Sequence, residues 1–519
     1  MPLPKSNFFK ALLAAKPNSP AIVGPGQNAT TTYADLLRHV NSVQESLKAI
    51  RSEDRVAILV DKGLGYPAAF LGVWAAGGIA VPVCTSHPTP EMLYTLQDSG
   101  SKVLIVSERF AKRGSELQQK IPKLQLIHVE NVLDSGSKDQ PRLSDGQFDE
   151  NTGALIIYTS GTTGQPKGAV HTHKSTVAQV TSLKEAWKYG PEDRLLHVLP
   201  LHHIHGIVNA LLTPLYSASC VEFAPEKFDA EGVWQRLLSS TNPITLFMAV
   251  PTIYTKLLSA VPKGDVKLKD VRLCVSGSAA LPTSVKKSWK EHTGHVLLER
   301  YGMTEIGMGL SCGMAEEDRL DSSVGWPLPG IRAKLVDEET HREIGGDDVP
   351  GEIWISGDNL FREYLNKKAQ TEKEIVHEQG VRWFKTGDIA LRSKDHRGAY
   401  FIQGRSSVDI IKSGGYKISA LEVERDILHL PFVKEAAVMG VKDDEWGQRV
   451  AALIVPAEGH EGLTLKELRE ALKEEIAGYK VPTLMKVLRD GIPRNAMGKV
   501  NKKELVKEFD KSDGKASKL

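Results

Sequence analysis

Short apolar runs rich in β-branched residues alternate with longer amphipathic stretches from the N-terminus to about Gly330. This alternation predicts βαβ units and largely parallel sheets over that part of the chain. The runs that we predict to be strands are residues 55–60, 102–106, 154–158 and 272–276.

The pattern changes beyond Gly330. Residues 351–355, 380–384 and 399–402 have the pattern of short strands without long helices between them, which predicts an antiparallel sheet or a small barrel. From Ser406 onward strands and helices alternate again, with a polar helix at 465–476. We therefore predict an α/β protein. Its large N-terminal domain, residues 1–405, combines βαβ-type sheets with a small barrel-like β subdomain, and a small mobile α+β C-terminal domain, residues 406–519, follows.

Composition excludes several classes of protein. The 519 residues are 41% hydrophobic and 25% charged, which is ordinary for a globular protein and excludes disordered or fibrous chains. The formal net charge of +2 gives no global field that would select nucleic acid. The four cysteines are scattered, so we expect neither a disulfide framework nor a zinc site. This cysteine usage predicts a reducing compartment.

Two segments concern membranes and targeting. Residues 63–90 contain no charged side chain, but glycines and prolines interrupt them, so we expect interior α/β structure and no transmembrane segment. The chain ends in Ser517, Lys518 and Leu519, the tripeptide that the peroxisomal import receptor reads. This predicts a peroxisomal location. The cytosol is the alternative, and the N-terminus, whose first arginine is Arg38, gives a mitochondrial leader less support.

The densest chemical signal is at residues 158–168, directly after an apolar strand: Tyr-Thr-Ser-Gly-Thr-Thr-Gly-Gln-Pro-Lys-Gly. Such a loop turns backbone N–H groups and hydroxyls toward an anion, while Lys167 supplies a positive charge. These features suit a polyphosphate. The Gly-Lys-Ser/Thr ending of the ordinary P-loop is absent from this segment.

In this loop the chain resembles the adenylate-forming superfamily, which includes acyl-CoA synthetases, peptide-synthetase adenylation domains and firefly luciferase. Further segments follow in that superfamily's order, at 276–282, 301–305, 383–388, 404–405 and 493–499. The resemblance implies an enzyme that joins a carboxylic acid to ATP as an acyl-adenylate, releases pyrophosphate, and then transfers the acyl group to a thiol.

The resemblance also implies an ATP site. The residues that it assigns to the phosphates are Thr159, Ser160, Gly161, Thr162, Thr163, Gly164 and Lys167. Those that would enclose adenine are Gly277, Ser278, Ala279 and Tyr301, and those for the ribose are Asp388 and Arg405. Thr304 is placed beside the α-phosphate, and Glu305 is the expected Mg²⁺ ligand, because that ion prefers hard oxygen donors.

By the same resemblance, Lys499 enters the site to stabilise the α-phosphate during adenylation. It leaves when the small domain rotates for thioester formation, as a two-state interface allows. Gly414 and Gly415 would line the tunnel for the pantetheine arm of CoA. Ser407 stands where the superfamily commonly has Asp or Lys at its hinge.

The acid substrate is indicated by Arg300, which follows Glu299 in a pattern similar to that of malonyl-CoA synthetases. A dicarboxylate brings a second negative charge, for which a guanidinium is the natural partner. The alternatives are that Arg300 pairs with Glu299 or lies outside the site. Within residues 200–206, the resemblance places His203 beside the reacting carboxylate, and His205 would donate to the distal carboxylate or merely pack.

These observations together predict an ATP-dependent acid:CoA ligase that uses ATP, Mg²⁺ and CoA. Malonate is the expected acid, with methylmalonate tolerated. The alternative is a peroxisomal CoA ligase for a fatty, short-chain or aromatic monocarboxylic acid. A catalytically silent nucleotide-binding protein is a further alternative, against which the joint presence of Lys167, Glu305, Asp388 and Lys499 argues.

Overall fold

The computed structural model describes residues 1–27, 29–134, 141–159, 165–264, 266–414, 416–473, 475–494 and 500–510. The α-helices in these ranges are Asn7–Ala14, Tyr33–Ser46, Gly65–Ala75, Thr89–Ser99, Ala111–Lys120, Val129–Asp134, His173–Trp187, Thr213–Tyr216, Ala230–Leu237, Pro251–Leu258, Thr283–Thr293, Lys368–Glu374, Ala420–Leu428, Leu465–Leu472, Lys502–Leu505 and Lys507–Asp510. A π-helix spans His205–Leu212, and 3₁₀ turns span Pro25–Gln27, Glu108–Phe110, Glu316–Asp318 and Gly478–Lys480.

The largest sheet includes the strands that contain or precede the segments predicted for adenine and for the acid. Its strands lie in the order Trp326–Pro327, Gly307–Ser311, Leu298–Met303, Leu273–Ser276, Leu246–Ala249, Arg194–His197, Cys220–Phe223, Pro20–Val23 and Thr30–Thr32. The strands from Leu298–Met303 to Pro20–Val23 are parallel, and the outer ones are antiparallel. Ser276, the last residue of its strand, lies opposite Glu299 in the parallel ladder. The segment after Ser276 and residues 300–303 therefore lie at the carboxyl ends of neighbouring parallel strands, where ligands bind in open α/β sheets.

A second sheet contains the two strands that flank the loop predicted for the phosphates. Its order is Glu363–Tyr364, Lys167–Thr172, Gly153–Thr159, Ile79–Pro82, Arg55–Leu59, Val103–Val106 and Gln125–His128. The strands from Gly153–Thr159 to Gln125–His128 run parallel, and Lys167–Thr172 returns antiparallel after the loop. Strands Ile79–Pro82 and Val103–Val106 are buried at every position, as their continuous apolar runs require.

The third sheet is antiparallel, with the order Ile331–Val336, Gly351–Gly357, Val381–Ser393 and Ile375–Glu378, and with Ala399–Arg405 also paired to Val381–Ser393. The fourth has the order Tyr416–Ser419, Ile410–Ser413, Gly447–Pro456 and Val433–Asp443, with Leu484–Val487 parallel to Gly447–Pro456. One apolar core contains buried residues from Leu3 to Tyr400, and a separate one runs from Ile411 to Val481. The domain boundary at Arg405 stays a prediction.

The α/β class and the change to antiparallel strands after Gly330 are confirmed. The polar helix begins at Leu465 as predicted, after a capping box formed by Thr464 and Glu467. It is shorter than predicted and ends at Leu472. Ile476 still packs against the same core as Leu472, so the apolar spacing continues past the last helical turn. The described residues contain no helix with the length and apolar character needed to cross a membrane.

Candidate active site

The predicted ribose residues meet across two paired strands. Asp388 lies directly opposite Arg405 in the ladder between Val381–Ser393 and Ala399–Arg405. Arg405 Nε donates to Asp388 Oδ1 at 2.8 Å, and the Tyr301 hydroxyl donates to Asp388 Oδ2 at 2.5 Å. The pKa of Tyr301 is raised by burial and by Asp388. The pKa of Arg405 is raised: burial lowers it, but the neighbouring Asp388 carboxylate raises it by more. The Asp388 carboxylate thus accepts hydrogen bonds from two donors.

Thr304 and Glu305 follow the strand Leu298–Met303 and are fixed from the second sheet. His171 Nε2 lies 2.7 Å from the carbonyl oxygen of Thr304, and the Tyr364 hydroxyl donates to Glu305 Oε1 at 2.6 Å. Burial lowers the pKa of His171 to about 4, so its ring is neutral at pH 7 and donates through Nε2. The Glu305 carboxylate is buried, and its oxygens are of the hard type that Mg²⁺ prefers, so it could hold that ion.

Lys167 contacts the same tyrosine, Tyr364, as Glu305 does. It pairs with Thr159 at the base of the loop, where the two strands are antiparallel. Its ammonium lies 5.1 Å from the centroid of the Tyr364 ring. Lys167, Tyr364 and Glu305 therefore form a continuous group next to Thr159, at the described base of the loop predicted for the phosphates.

Arg300 is a buried cation that has no anionic partner among the described residues. Its side chain is 4% exposed, and Nη2 donates to Ser278 Oγ at 2.9 Å. Nε has no hydrogen-bond partner, and none of the described carboxylates pairs with the guanidinium. Burial lowers the pKa of Arg300 to about 9, which leaves it charged at pH 7. A Cβ at Gly277 would lie 2.5 Å from Arg300 Nε, so glycine there lets the guanidinium rest against the loop predicted for adenine.

The alternative pairing of Arg300 with Glu299 is excluded by the strand. Consecutive side chains point to opposite faces, and Glu299 faces Lys286, whose Nζ donates to Glu299 Oε1 at 3.0 Å. Lys286 also donates to the carbonyl oxygens of Arg319 and Leu320.

His205 joins Arg300 at Ser278. Its Nδ1 lies 3.5 Å from Ser278 Oγ, and no described residue forms a hydrogen bond with its buried Nε2. Burial, together with the charge of Arg300, lowers the pKa of His205 well below its usual value. Ser278 has a φ of 70°, a left-handed conformation that costs free energy in a residue other than glycine. The His203 ring packs against His202 with centroids 4.1 Å apart.

His205 begins the buried π-helix, which the sequence did not predict. A Cβ at Gly206 would lie 2.0 Å from the carbonyl oxygen of Pro200, so the chain can approach this closely only at glycine. π-Helical turns are rare and occur mostly at functional sites.

Gly414, predicted for CoA, has a φ of 55°, and its N–H donates to the carbonyl oxygen of Trp446 at 3.0 Å. It lies in the C-terminal part of the chain beside the exposed Trp446 ring. Several predicted residues lie outside the described ranges: Ser160, Gly161, Thr162, Thr163, Gly164, Gly415, Lys499, Ser517, Lys518 and Leu519.

Sequence reasoning missed Tyr364 and His171, which hold Glu305 and Thr304. Both contacts join residues far apart in the chain, so no local pattern marks them. The local signal that the sequence offers is the polar His171 directly after Gly-Ala-Val, at one of the buried positions 168–171 of the strand Lys167–Thr172.

Buried neutral histidines should make the fold sensitive to acid. Burial lowers the pKa of His171 and His173 to about 4 and that of His197 to about 3. The unfolded chain takes up protons near pH 6.5 and the folded chain does not, so stability is full above pH 6.5 and falls as the pH drops toward 4. Each of these histidines should lower the free energy of unfolding by about 2 kcal/mol at pH 5 relative to neutral pH.

Denaturant unfolding at pH 7.5 and pH 5 measures this loss. His173→Phe, which keeps a ring against Trp74 and Phe148, should show a smaller loss between the two pH values. If the wild type and His173→Phe lose the same free energy of unfolding between pH 7.5 and pH 5, His173 does not contribute to the acid sensitivity.

Comparison with known proteins gives concordant results. The model of the AMP-binding enzyme family matches residues 9–365, and that of the AMP-binding enzyme C-terminal domain matches residues 422–499. A CoA ligase of Gibberella moniliformis is 41% identical, over 97% of this chain and 95% of its own. The mitochondrial malonate–CoA ligase ACSF3 of Homo sapiens is 43% identical, over 88% of this chain and 83% of its own. ATP-bound MatB from Rhodopseudomonas palustris has a TM-score of 0.87 at 29% identity, covering 97% of this chain and 99% of that one.

These relatives correct one prediction and establish the family. The peroxisomal location predicted from Ser517, Lys518 and Leu519 is wrong, because the human, mouse and bovine relatives are mitochondrial malonate–CoA ligases. The family models and the relatives cover most of the chain. This chain therefore belongs to the AMP-binding enzyme family and, within it, to the AMP-forming acid–CoA ligases.

Proposed function

We propose that this chain is an ATP-dependent malonate–CoA ligase that forms malonyl-CoA, AMP and pyrophosphate. The observation that carries the proposal is the buried Arg300 guanidinium, which has Ser278 as a neutral partner and no described carboxylate. Leaving a buried charge unpaired costs several kcal/mol, and an anionic ligand would offset that cost. The similarity to malonate–CoA ligases from animals and from Arabidopsis thaliana supports the same acid.

The site suits a short dicarboxylate. The distal carboxylate would accept from the Arg300 guanidinium, and the unpartnered Nε2 of His205 would serve as a second donor when that ring is neutral. The proximal carboxylate would then lie toward His203 and the α-phosphate of ATP. Methylmalonate adds one methyl group without changing the charges, so we propose that it is accepted.

The ATP residues would act together in the first step. Asp388 would accept hydrogen bonds from the ribose hydroxyls, while Lys167 and the loop at 159–164 would bind the phosphates. A substrate carboxylate oxygen attacks the α-phosphorus, the bond to the bridging oxygen breaks, and pyrophosphate leaves. Mg²⁺, held by Glu305, would neutralise charge on the phosphates.

The second step would use the C-terminal domain, for which we propose the boundary at Arg405. Lys499 would stabilise the α-phosphate in the first conformation. After rotation, Gly414 and Gly415 would line the approach of CoA, whose thiolate attacks the acyl carbonyl and releases AMP. A tight turn at Gly414, with its left-handed φ, suits the close approach of a narrow pantetheine arm.

The test is thioester formation by the purified protein with ATP, Mg²⁺ and CoA across a panel of acids. The panel contains malonate, methylmalonate, succinate, acetate, butyrate, octanoate, palmitate and 4-coumarate. We expect the highest kcat/KM for malonate and a lower value for methylmalonate. Preference for a monocarboxylate would leave the adenylation chemistry in place and overturn the role of Arg300.

A further inference from the structure

Tyr364 lies between the two groups assigned to the charged end of ATP. It belongs to the short strand Glu363–Tyr364, which pairs Tyr364 with Ala169 of the phosphate-loop strand. Its backbone N–H donates to Thr371 Oγ1 at 2.9 Å, and the N–H of Leu365 donates to the carbonyl oxygen of Gly168 at 2.8 Å. The side chain is only 4% exposed, and the edge of the Phe361 ring packs against it at 4.8 Å between centroids. The position of this ring is therefore fixed on several sides.

The two parts of the Tyr364 side chain make different contacts. The hydroxyl donates to Glu305 Oε1 at 2.6 Å, and the face of the ring lies 5.1 Å from Lys167 Nζ. No described residue is hydrogen-bonded to Glu305 Oε2, and no described carboxylate forms an ion pair with Lys167.

We propose that Tyr364 is a positioning residue that sets the Glu305 carboxylate for the metal ion through its hydroxyl and sets Lys167 for the phosphates through its ring. This rests on the proposed function, since it assumes that Glu305 and Lys167 bind Mg²⁺ and ATP. Tyr364 acts through these two side chains and is not itself assigned a contact with the substrate.

The chemistry explains why tyrosine is suited to both tasks. A hydroxyl that occupies Oε1 fixes the plane of the carboxylate and leaves Oε2 directed to a cation, as outer-shell partners do in metal sites. A carboxylate beside Lys167 would neutralise its charge, whereas an aromatic face attracts the ammonium and leaves its full charge for a phosphate.

Two substitutions separate the tasks. Tyr364→Phe removes the hydroxyl and keeps the ring, and Tyr364→Leu removes both. Tyr33→Phe is the matched control, because Tyr33 is also buried and its hydroxyl donates at 2.8 Å to the carbonyl oxygen of Ser219, in a part of the fold assigned no role.

The first measurement is the Mg²⁺ concentration that gives half-maximal malonate-dependent ATP–pyrophosphate exchange. Tyr364→Phe should raise it about tenfold, while the rate at saturating Mg²⁺ stays close to that of the wild type. The second measurement is the rise in Tm that ATP causes in the absence of the acid substrate, recorded once with Mg²⁺ and once with EDTA. Tyr364→Phe should lose the increment due to Mg²⁺ and keep the shift in EDTA. Tyr364→Leu should also weaken apparent ATP affinity in EDTA about fivefold.

The outcomes are distinguishable. If Tyr364→Phe and Tyr33→Phe both reproduce the wild-type Mg²⁺ curve, the role of the hydroxyl is overturned. If Tyr364→Leu binds ATP in EDTA as tightly as Tyr364→Phe does, the role of the ring is overturned. An inactive wild type that still binds ATP with Mg²⁺ would contradict the proposed acid and leave Tyr364 to be judged from the binding measurements alone.

Discussion

Replacing Arg300 with methionine should lower kcat/KM for malonate about a thousandfold. The guanidinium is 4% exposed, and its one described side-chain partner is the neutral Ser278. A malonate carboxylate beside it would therefore be desolvated and paired with a single buried cation. Losing one partner of such a pair costs about 4 kcal/mol, because the remaining charge stays buried without compensation. The much lower rate with acetate, which lacks the second carboxylate, should change little.

Two variants serve as controls for Arg300→Met. Arg300→Lys keeps the charge but loses the planar donor pair, so we expect an intermediate loss for malonate. Arg319→Met removes another partly buried guanidinium, which donates to the carbonyl oxygens of Val296 and Met314. It should lower the denaturation midpoint without changing the ratio of malonate to acetate activity. An unchanged rate with malonate in Arg300→Met would remove Arg300 from the acid pocket.

Several strands of the three sheets that hold the site residues could be predicted from the sequence because their signal is local, whereas Leu298–Met303 and Lys167–Thr172 were not predicted. Buried parallel strands such as Val103–Val106 are continuous apolar runs, and the antiparallel strand Ala399–Arg405 begins with the short apolar run 399–402 after a turn. The strand at 298–303 also excludes an ion pair between Arg300 and Glu299. Side chains alternate across a strand, so Glu299 and Arg300 had to face opposite sides.

The contacts that complete the site could not be predicted, because they join separate sheets. Tyr364 meets Glu305, and His171 meets Thr304, across large separations in sequence. Their positions depend on how the first two sheets pack, which no single window of sequence encodes. The π-helix at His205–Leu212 was missed for a different reason: its residues are apolar nearly throughout, so their spacing does not distinguish one helical period from another.

The second large effect concerns Asp388, and Asp388→Asn should lower kcat/KM for ATP about a hundredfold. The carboxylate accepts from Tyr301 and from Arg405, and we propose that it also accepts from the ribose hydroxyls. An amide of the same shape has only one acceptor oxygen, so its NH₂ group would face one of these donors. The KM for ATP should rise, with a smaller change in the KM for malonate, since Arg300 is held by the separate Ser278 contact. ATP–pyrophosphate exchange at varied ATP and varied malonate measures both.

Asp193→Asn is the matched control for Asp388→Asn. Asp193 also pairs with an arginine, accepting from Arg272 Nη2 at 2.6 Å and Nε at 2.8 Å, at the start of the strand Arg194–His197. Its loss should destabilise the fold by about 3 kcal/mol, because Arg272 is left partly buried without its anion, and the KM for ATP should not change. If both variants raise the KM for ATP equally, the effect at Asp388 comes from general loosening of the fold. If only Asp388→Asn raises it, the pair formed with Arg405 belongs to the nucleotide site.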